Sequence, residues 1–303
     1  MSHPKPAPGL KELLSTAQLP ALPQSAIRLL ELSQNPDNGP GEFAVPIESD
    51  PGLTGQVLKF VNSSYFGFSR EISSVKLAIT LVGIRTIKNF SLWSAVFSLM
   101  PNPKCGPFDL KSLWQDSLRR ALFARAFGKL LGLKDAEDLF SGALLQDMAV
   151  PLLAKEQPAR YLQLLESRKD GESRLSDLER AEFGWTHAEA AGFMCRQWSL
   201  PEQFAQLIEA HTKLDEFLAE GCDDPGKLSV SLSALLPAAT DEYWFERQKF
   251  VAAFECLTKG RQPLDALFAQ VDQEFTDFAP VLKLATPAKS LVQHITEETT
   301  AKA

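Results

Sequence analysis

The sequence predicts an all-α protein, and three observations carry that expectation. Apolar residues between about residue 10 and residue 295 recur at three- and four-residue spacing, the period of one face of a helix. No pair of alternating apolar and polar runs is joined by an Asn-Gly or Asp-Gly turn, so the signal of a hairpin sheet is missing. Several helix starts can be read from their caps: a side chain able to accept from the first free amides, then proline or a carboxylate at the position a first turn favours.

Taken in order, residues 1–9 are Pro-rich and read as a loose leader. An N-terminal helical part follows, over residues 10–100. Within it Asp50-Pro51 reads as an N-cap with proline at the first helical position. The helix so opened buries Leu53, Val57, Leu58 and Val61 and turns Lys59 outward. Ile84 to Val96 is apolar enough for a strand, but its three- and four-residue spacing fits a helix. Breaks fall at Asn35 to Gly41, at Gly67 and at Pro101 to Pro107.

The last of these breaks, PNPKCGPF, separates the first part from a second, over residues 108–215. There Ser176-Asp-Leu-Glu179 and Thr186-His-Ala-Glu189 both match the capping box, in which hydroxyl and carboxylate satisfy each other's free backbone donors. Pro201 opens a further helix. After CDDPG, a C-terminal helical extension runs over residues 216–295, its apolar Leu264, Leu267, Phe268, Val271 and Phe275 expected to pack on the main domain. Residues 296–303 read as a frayed tail.

Composition narrows the function. With 45% hydrophobic and 23% charged residues the chain can build a core and is not a disordered segment. A net charge of −7 and a pI near 5.3 remove any general attraction to DNA, RNA or anionic lipid; no nucleic-acid or membrane partner is expected. The N-terminus lacks the apolar core of a signal peptide, and no apolar run is long enough to span a bilayer, so a cytoplasmic location is expected. Cys105, Cys195, Cys222 and Cys256 form no C-x-x-C pair, which argues against structural zinc and redox chemistry. No P-loop, G-x-G-x-x-G or G-x-S-x-G element is present. Trp93, Trp114, Trp185, Trp198 and Trp244 are scattered and read as packing anchors.

Of four histidines, His3 and His294 lie near the ends, leaving His187 and His211 as the imidazoles able to do chemistry. His187 follows the N-cap Thr186, where the helix dipole is expected to keep its ring neutral. His211, with Phe204, Leu207, Ile208, Leu214 and Leu218, is expected on the apolar face of one helix and at least partly buried. Asp147 sits in a stretch, Gly142 to Ala149, that is apolar nearly all round. A carboxylate there must be paired or bound to a cation. Its partner would be a metal, a backbone amide or one of the two histidines. Cys195, eight residues after His187, is read as a coincidence.

An ordered series of short matches resembles the HDOD family, relatives of the HD-domain metal-dependent phosphohydrolases. The series runs from Leu19-Pro-Ala-Leu-Pro23 through Asp50-Pro-Gly-Leu-Thr54, Leu58-Lys-Phe-Val-Asn-Ser-Ser-Tyr-Phe-Gly67, Ile72-Ser-Ser-Val75 and Ala78-Ile-Thr-Leu-Val-Gly83. It continues with Leu113-Trp-Gln-Asp-Ser117, Ser141-Gly-Ala-Leu-Leu-Gln-Asp147, Gly184-Trp-Thr-His187 and Trp198-Ser-Leu-Pro201, and reaches His211. The resemblance covers roughly residues 19–215 and rests on order and spacing together. It implies a helical bundle and a site where imidazoles and an aspartate hold one or two metals that activate water.

By that resemblance the site is eroded. Gln146 stands where the histidine of the His-Asp pair belongs, Asp116 takes an earlier histidine position, and His211-Thr212 replaces a His-His pair. Asp147, His187 and His211 keep the pattern. Asp116 can alternatively be read as a surface carboxylate pairing with Arg119 or Arg120. The expectation is therefore no catalytic residue and no required cofactor, with Asp147, His187 and His211 as the ligands of any single, weakly held divalent ion. HDOD proteins resemble parts of bacterial signalling systems, so the expected role is a regulatory or scaffold protein whose partners are signalling proteins acting in trans. The alternative is a metal-dependent phosphohydrolase of a nucleotide or cyclic nucleotide. A third reading makes the old cleft a small-ligand pocket with Gln146, His187 and His211 as contacts. The oligomeric state is left open.

Overall fold

The structure, a computed structural model, describes residues 9–297 except 18, 135 and 261. The leader expected over residues 1–9 and the tail expected over 296–303 lie almost wholly outside these residues. Among the described residues every regular element is a helix.

The first group comprises α1 (Leu10–Thr16), α2 (Gln24–Leu32), α3 (Pro40–Glu48), α4 (Pro51–Val61), α5 (Val75–Val82) and α6 (Ile84–Leu99). The second comprises α7 (Leu110–Leu130), α8 (Glu137–Leu145), α9 (Val150–Glu156), α10 (Pro158–Ser167), α11 (Leu175–Phe183), α12 (His187–Gln197) and α13 (Glu202–Ala210). Then come α14 (Leu214–Glu220), α15 (Pro225–Ser233), α16 (Arg247–Thr258), α17 (Leu264–Phe278) and α18 (Leu291–Thr296), with single 3-10 turns at Lys169–Gly171 and Ala279–Leu282.

Local chemistry explains the starts. Asp50 caps α4, its Oδ1 accepting the Leu53 amide at 3.0 Å while Pro51 needs no acceptor of its own. Asp109 caps α7 by accepting the Ser112 amide at 2.8 Å, and Asp224 caps α15 by accepting those of Gly226 and Lys227. The box at Thr186 is present, with Glu189 accepting the Thr186 amide at 2.8 Å.

The box expected at Ser176 is not. Helix α11 begins at Leu175 with Arg174 as its N-cap and no side-chain cap bond, and Glu179 turns into the interior. Two further expectations are corrected. Asp147 lies in the turn between α8 and α9 rather than within a helix. His211 ends α13 as its C-cap, so Leu214 and Leu218 belong to the next helix and Leu218 is exposed.

Helix α7 organises the core. Leu118, Ala121, Leu122, Phe123, Ala124 and Phe127 are buried along it, and it packs against α8, α15 and α17. The C-terminal extension lies on this helix through Phe268 and Phe250, whose rings sit 6.1 and 5.3 Å from that of Phe123. Each such ring fully removed from water is worth about 1.5–3 kcal/mol, which fixes α16 and α17 to the domain. Phe97 of α6 stacks on Trp114 of α7 at 3.8 Å and joins the first group of helices to the second. One continuous apolar cluster runs from Leu13 to Leu291.

Candidate functional site

Helix α11 ends at Gly184, whose φ of +79° is the left-handed C-cap that glycine adopts without strain. The chain reverses there, and the capped first turn of α12 places His187 facing back toward α11. Opposite stand the α8–α9 turn, carrying Gln146 and Asp147, and the end of α13, carrying His211. Helix α7 closes the group with Asp116 and Arg120. All six residues singled out by sequence, Asp116, Gln146, Asp147, His187, His211 and Thr212, line one cleft of about 130 Å³. Its far wall comes from the segment between α15 and α16, including Ala238, Asp241 and Glu246.

The cluster is a continuous chain of charge-assisted hydrogen bonds. Arg120 Nη1 donates to Asp147 Oδ2, to which Gln146 Nε2 also points at 3.3 Å. Asp147 Oδ1 lies 3.2 Å from His187 Nε2 and 3.6 Å from His211 Nε2. On the other side of its ring, His187 Nδ1 is 2.6 Å from Glu179 Oε2, which also accepts the His187 amide at 2.7 Å. Glu179 Oε1 accepts the Tyr161 hydroxyl at 2.6 Å.

Protonation follows from which atoms can donate. The Ile208 carbonyl only accepts, so the His211 proton is on Nδ1 and its Nε2 presents a lone pair. His187 Nε2, 3.0 Å away, must donate, while His187 Nδ1 donates to Glu179. His187 is thus the imidazolium of the pair. Burial opposes that charge, but Glu179 and Asp147 outweigh it and lift the ring to about 10. The neutral ring expected from the helix dipole is overturned because two carboxylates in contact exceed a partial charge at a helix end. Burial, the nearby His187 and Arg120 push His211 down to about 3 in spite of Asp147. Burial also works against ionised Asp147, yet Arg120 and the two histidines hold it below the usual carboxylate range.

Asp116 is not the surface carboxylate of the alternative reading. It is 7% exposed, its Oδ1 accepts the Ala239 amide at 2.7 Å, and burial lifts it to about 6 against the pull of Arg120. Cys195 is fully buried, which pushes its thiol up to about 12, in keeping with an inert core residue.

Three residues of the cluster escaped the sequence reading. Arg120 was visible only as a neighbour of Asp116, Glu179 only as a cap, and Tyr161 carried no signal.

The HD pattern implies a metal at this cluster. Asp147, His187 and His211 each offer an atom within 4.8 Å of the others. A divalent ion there would meet a guanidinium already bonded to the one carboxylate, and His187 has both ring nitrogens committed as donors. Gln146 adds only a neutral amide. These residues do not fit a two-metal centre, and they hold Asp147 in a pair that a single ion would have to break.

A pH dependence follows. His211 and His294, the latter lowered to about 4 by burial and by Arg119, bind protons more readily unfolded, near 6.5, than folded. Stability conferred by their neutral forms is lost as pH falls from about 6.5, and Asp147 adds to the loss below its ordinary 3.8. Asp116, raised to about 6, works in the opposite direction and offsets part of it. The urea midpoint is expected to fall steadily between pH 6.5 and pH 4; a flat or rising midpoint would contradict this protonation pattern.

The HDOD domain profile matches residues 19–214. A Treponema pallidum (strain Nichols) protein described as uncharacterized is 23% identical over 197 residues, 65% of this chain; the match spans 38% of that protein's length. A crystal structure of a proposed phosphohydrolase from Shewanella amazonensis SB2B superposes with a TM-score of 0.68 at 20% identity, covering 89% of this chain and 97% of that one. A proposed signal transduction protein from Marinobacter aquaeolei VT8 superposes with a TM-score of 0.62 at 20% identity, over 87% of this chain and 61% of that one. At these identities the structural likeness shows the fold. No helix among the described residues is long and apolar enough to cross a membrane.

Proposed function

The chain belongs to the HDOD family, and from that premise we propose that it is a non-catalytic regulatory or scaffold module of signal transduction, working through protein partners. The observation that carries this reading is the Arg120–Asp147 ion pair, which puts a permanent cation of the chain's own on the carboxylate a metal would need. The surrounding bonds tie α7, the α8–α9 turn, α10, α11, α12 and the end of α13 to one another. A former catalytic cluster then acts as a clasp that sets how these helices register, a use of buried polar groups with precedent elsewhere. Nothing in the clasp activates water, and the surface it rigidifies is what a partner would read.

The convergence of Asp147, His187 and His211 favours a second reading, a phosphohydrolase acting on a nucleotide or cyclic nucleotide with a single ion. Metal analysis separates the two. Protein purified without chelator is expected to carry substoichiometric transition metal and to melt at the same temperature with and without Mn²⁺. An ion held at a hundred times its Kd would instead stabilise the fold by about 2.7 kcal/mol. One metal per chain, lost in Asp147→Ala, or EDTA-sensitive turnover of a phosphodiester, would establish the enzyme and end the scaffold reading.

A further inference from the structure

One wall of the cleft is the start of α11, whose residues there take no part in the clasp. The helix runs for nine residues and no side chain caps its N-terminus. Its first amides therefore keep their partial positive charge for whatever lies before them. Arg174, the N-cap, lines the cleft together with Leu175 and Ser176, the first two helical residues. Asp177, the acidic residue of that turn, is exposed and is not part of the lining.

Two side chains at this helix start lack a full set of partners. Ser176 is 5% exposed, and its hydroxyl makes no hydrogen bond among the described residues. Arg120 Nε and Gln146 Oε1 are sealed from the cleft, whereas the Ser176 oxygen is open to the space it lines. The second is Arg174. Its guanidinium meets Glu246, Nε to Oε1 at 3.5 Å, and makes no hydrogen bond among the described residues. Arg168, in the same cleft, shows the contrast. Its Nη2 donates to both oxygens of Asp241, at 2.9 and 3.2 Å. Gly171, with a φ of +100°, leaves room for that carboxylate, which an added Cβ would approach to 2.6 Å. Glu246 has no such seat, and burial raises its carboxyl above the usual range in spite of Arg174.

We propose that the start of α11 is a binding site for a phosphate group, held by Arg174, the Ser176 hydroxyl and the first amides of the helix. A guanidinium, a hydroxyl and backbone N–H groups within one turn suit a tetrahedral oxyanion, which accepts on every side. Size restricts the ligand. The cleft of about 130 Å³ is smaller than the cavity of about 150 Å³ that takes benzene, so the group enters as the free ion or at the end of a small ester. Glu246 is the competitor it displaces from Arg174. The site uses none of the clasp residues and goes beyond the scaffold reading, so it stands or falls independently of it.

The test titrates the full chain with inorganic phosphate in a calorimeter, at mildly alkaline pH and constant ionic strength, with chloride as the control anion. One saturable site is expected. Arg174→Gln, checked for cooperative melting, is expected to weaken it at least about tenfold, the loss of a charge-assisted hydrogen bond. Ser176→Ala should weaken it about fivefold. Glu246→Gln removes the competing charge and is expected to tighten binding about threefold or more, a gain that a damaged fold would not give. Methyl phosphate as a second probe separates the sources: tighter binding of the free ion assigns inorganic phosphate, and tighter binding of the ester assigns a phosphorylated small molecule. Absence of saturable phosphate binding would overturn the proposal. So would affinity unchanged in a folded Arg174→Gln, or no higher in Glu246→Gln. Should Arg174→Gln not fold, Glu246→Gln decides alone.

Discussion

Replacing Arg120 by alanine is expected to cost about 3–5 kcal/mol of folding stability, the usual penalty for breaking a buried ion pair from one side. The size of the effect comes from what is left behind. Asp147 is 5% exposed, and Arg120 is the cation that faces its Oδ2. Without the guanidinium the carboxylate must either stay charged in a poorly solvating site or take up a proton. For a chain of this size a loss of that order moves the melting temperature by on the order of 10 °C. The reverse truncation, Asp147→Leu in the Arg120→Met background, should recover much of the loss, since an apolar pair of similar volume removes both desolvation penalties. Recovery stays incomplete, because Gln146 Nε2 and His187 Nε2 also point at that carboxylate. The single variant also bears on metal: it bares Asp147 beside two imidazoles and is expected to gain a Mn²⁺- or Zn²⁺-dependent rise in melting temperature that the wild type lacks. An Arg120→Ala protein as stable as wild type, measured by urea unfolding, would show that the pair is not what holds the site.

Most of the fold was legible because helices announce themselves locally. Asp50-Pro51 and Thr186 to Glu189 are caps whose chemistry is complete within four residues, and both are present. The packing of Leu267, Phe268, Val271 and Phe275 on the main domain was expected from their spacing; they are buried on α17, which lies against α7, a partner the spacing did not name. The convergence of Asp147, His187 and His211 was legible too, although their settings were not: one sits in a turn and one at a helix end. What sequence could not give was the sign of each contact. Ser176 to Glu179 has the spacing of a cap, and so does any carboxylate one turn into a helix, whichever way it points. Asp116 and Arg120, four apart, look like a surface pair until the α8–α9 turn brings Asp147 to the same guanidinium. Charge on His187 likewise depends on two carboxylates from distant segments, which no local dipole argument contains.

Glu179 provides the second large expected effect. Its carboxylate is fully buried and accepts from three donors at once: the His187 amide, His187 Nδ1 and the Tyr161 hydroxyl. Glu179→Ala orphans all three, each at about 1–3 kcal/mol, so a loss of about 3–5 kcal/mol is expected after the gain from no longer burying a carboxylate. Tyr161→Phe removes one donor and leaves the other two satisfied, for a loss of about 2 kcal/mol. Glu179→Gln keeps the volume but turns donors toward donors, and it deprives His187 of the leading source of its raised pKa. In that variant the His187 imidazole is expected to titrate well below about 10, followed through its ring nitrogens by NMR. The charge on His187 stabilises the fold fully below its unfolded value of 6.5, and that contribution is lost as pH rises through about 10. The stability gap between wild type and Glu179→Gln should therefore be widest near pH 6 and narrow above pH 9. A gap independent of pH would mean that Glu179 packs the site without charging it, and the clasp would then rest on Arg120 and Asp147 alone.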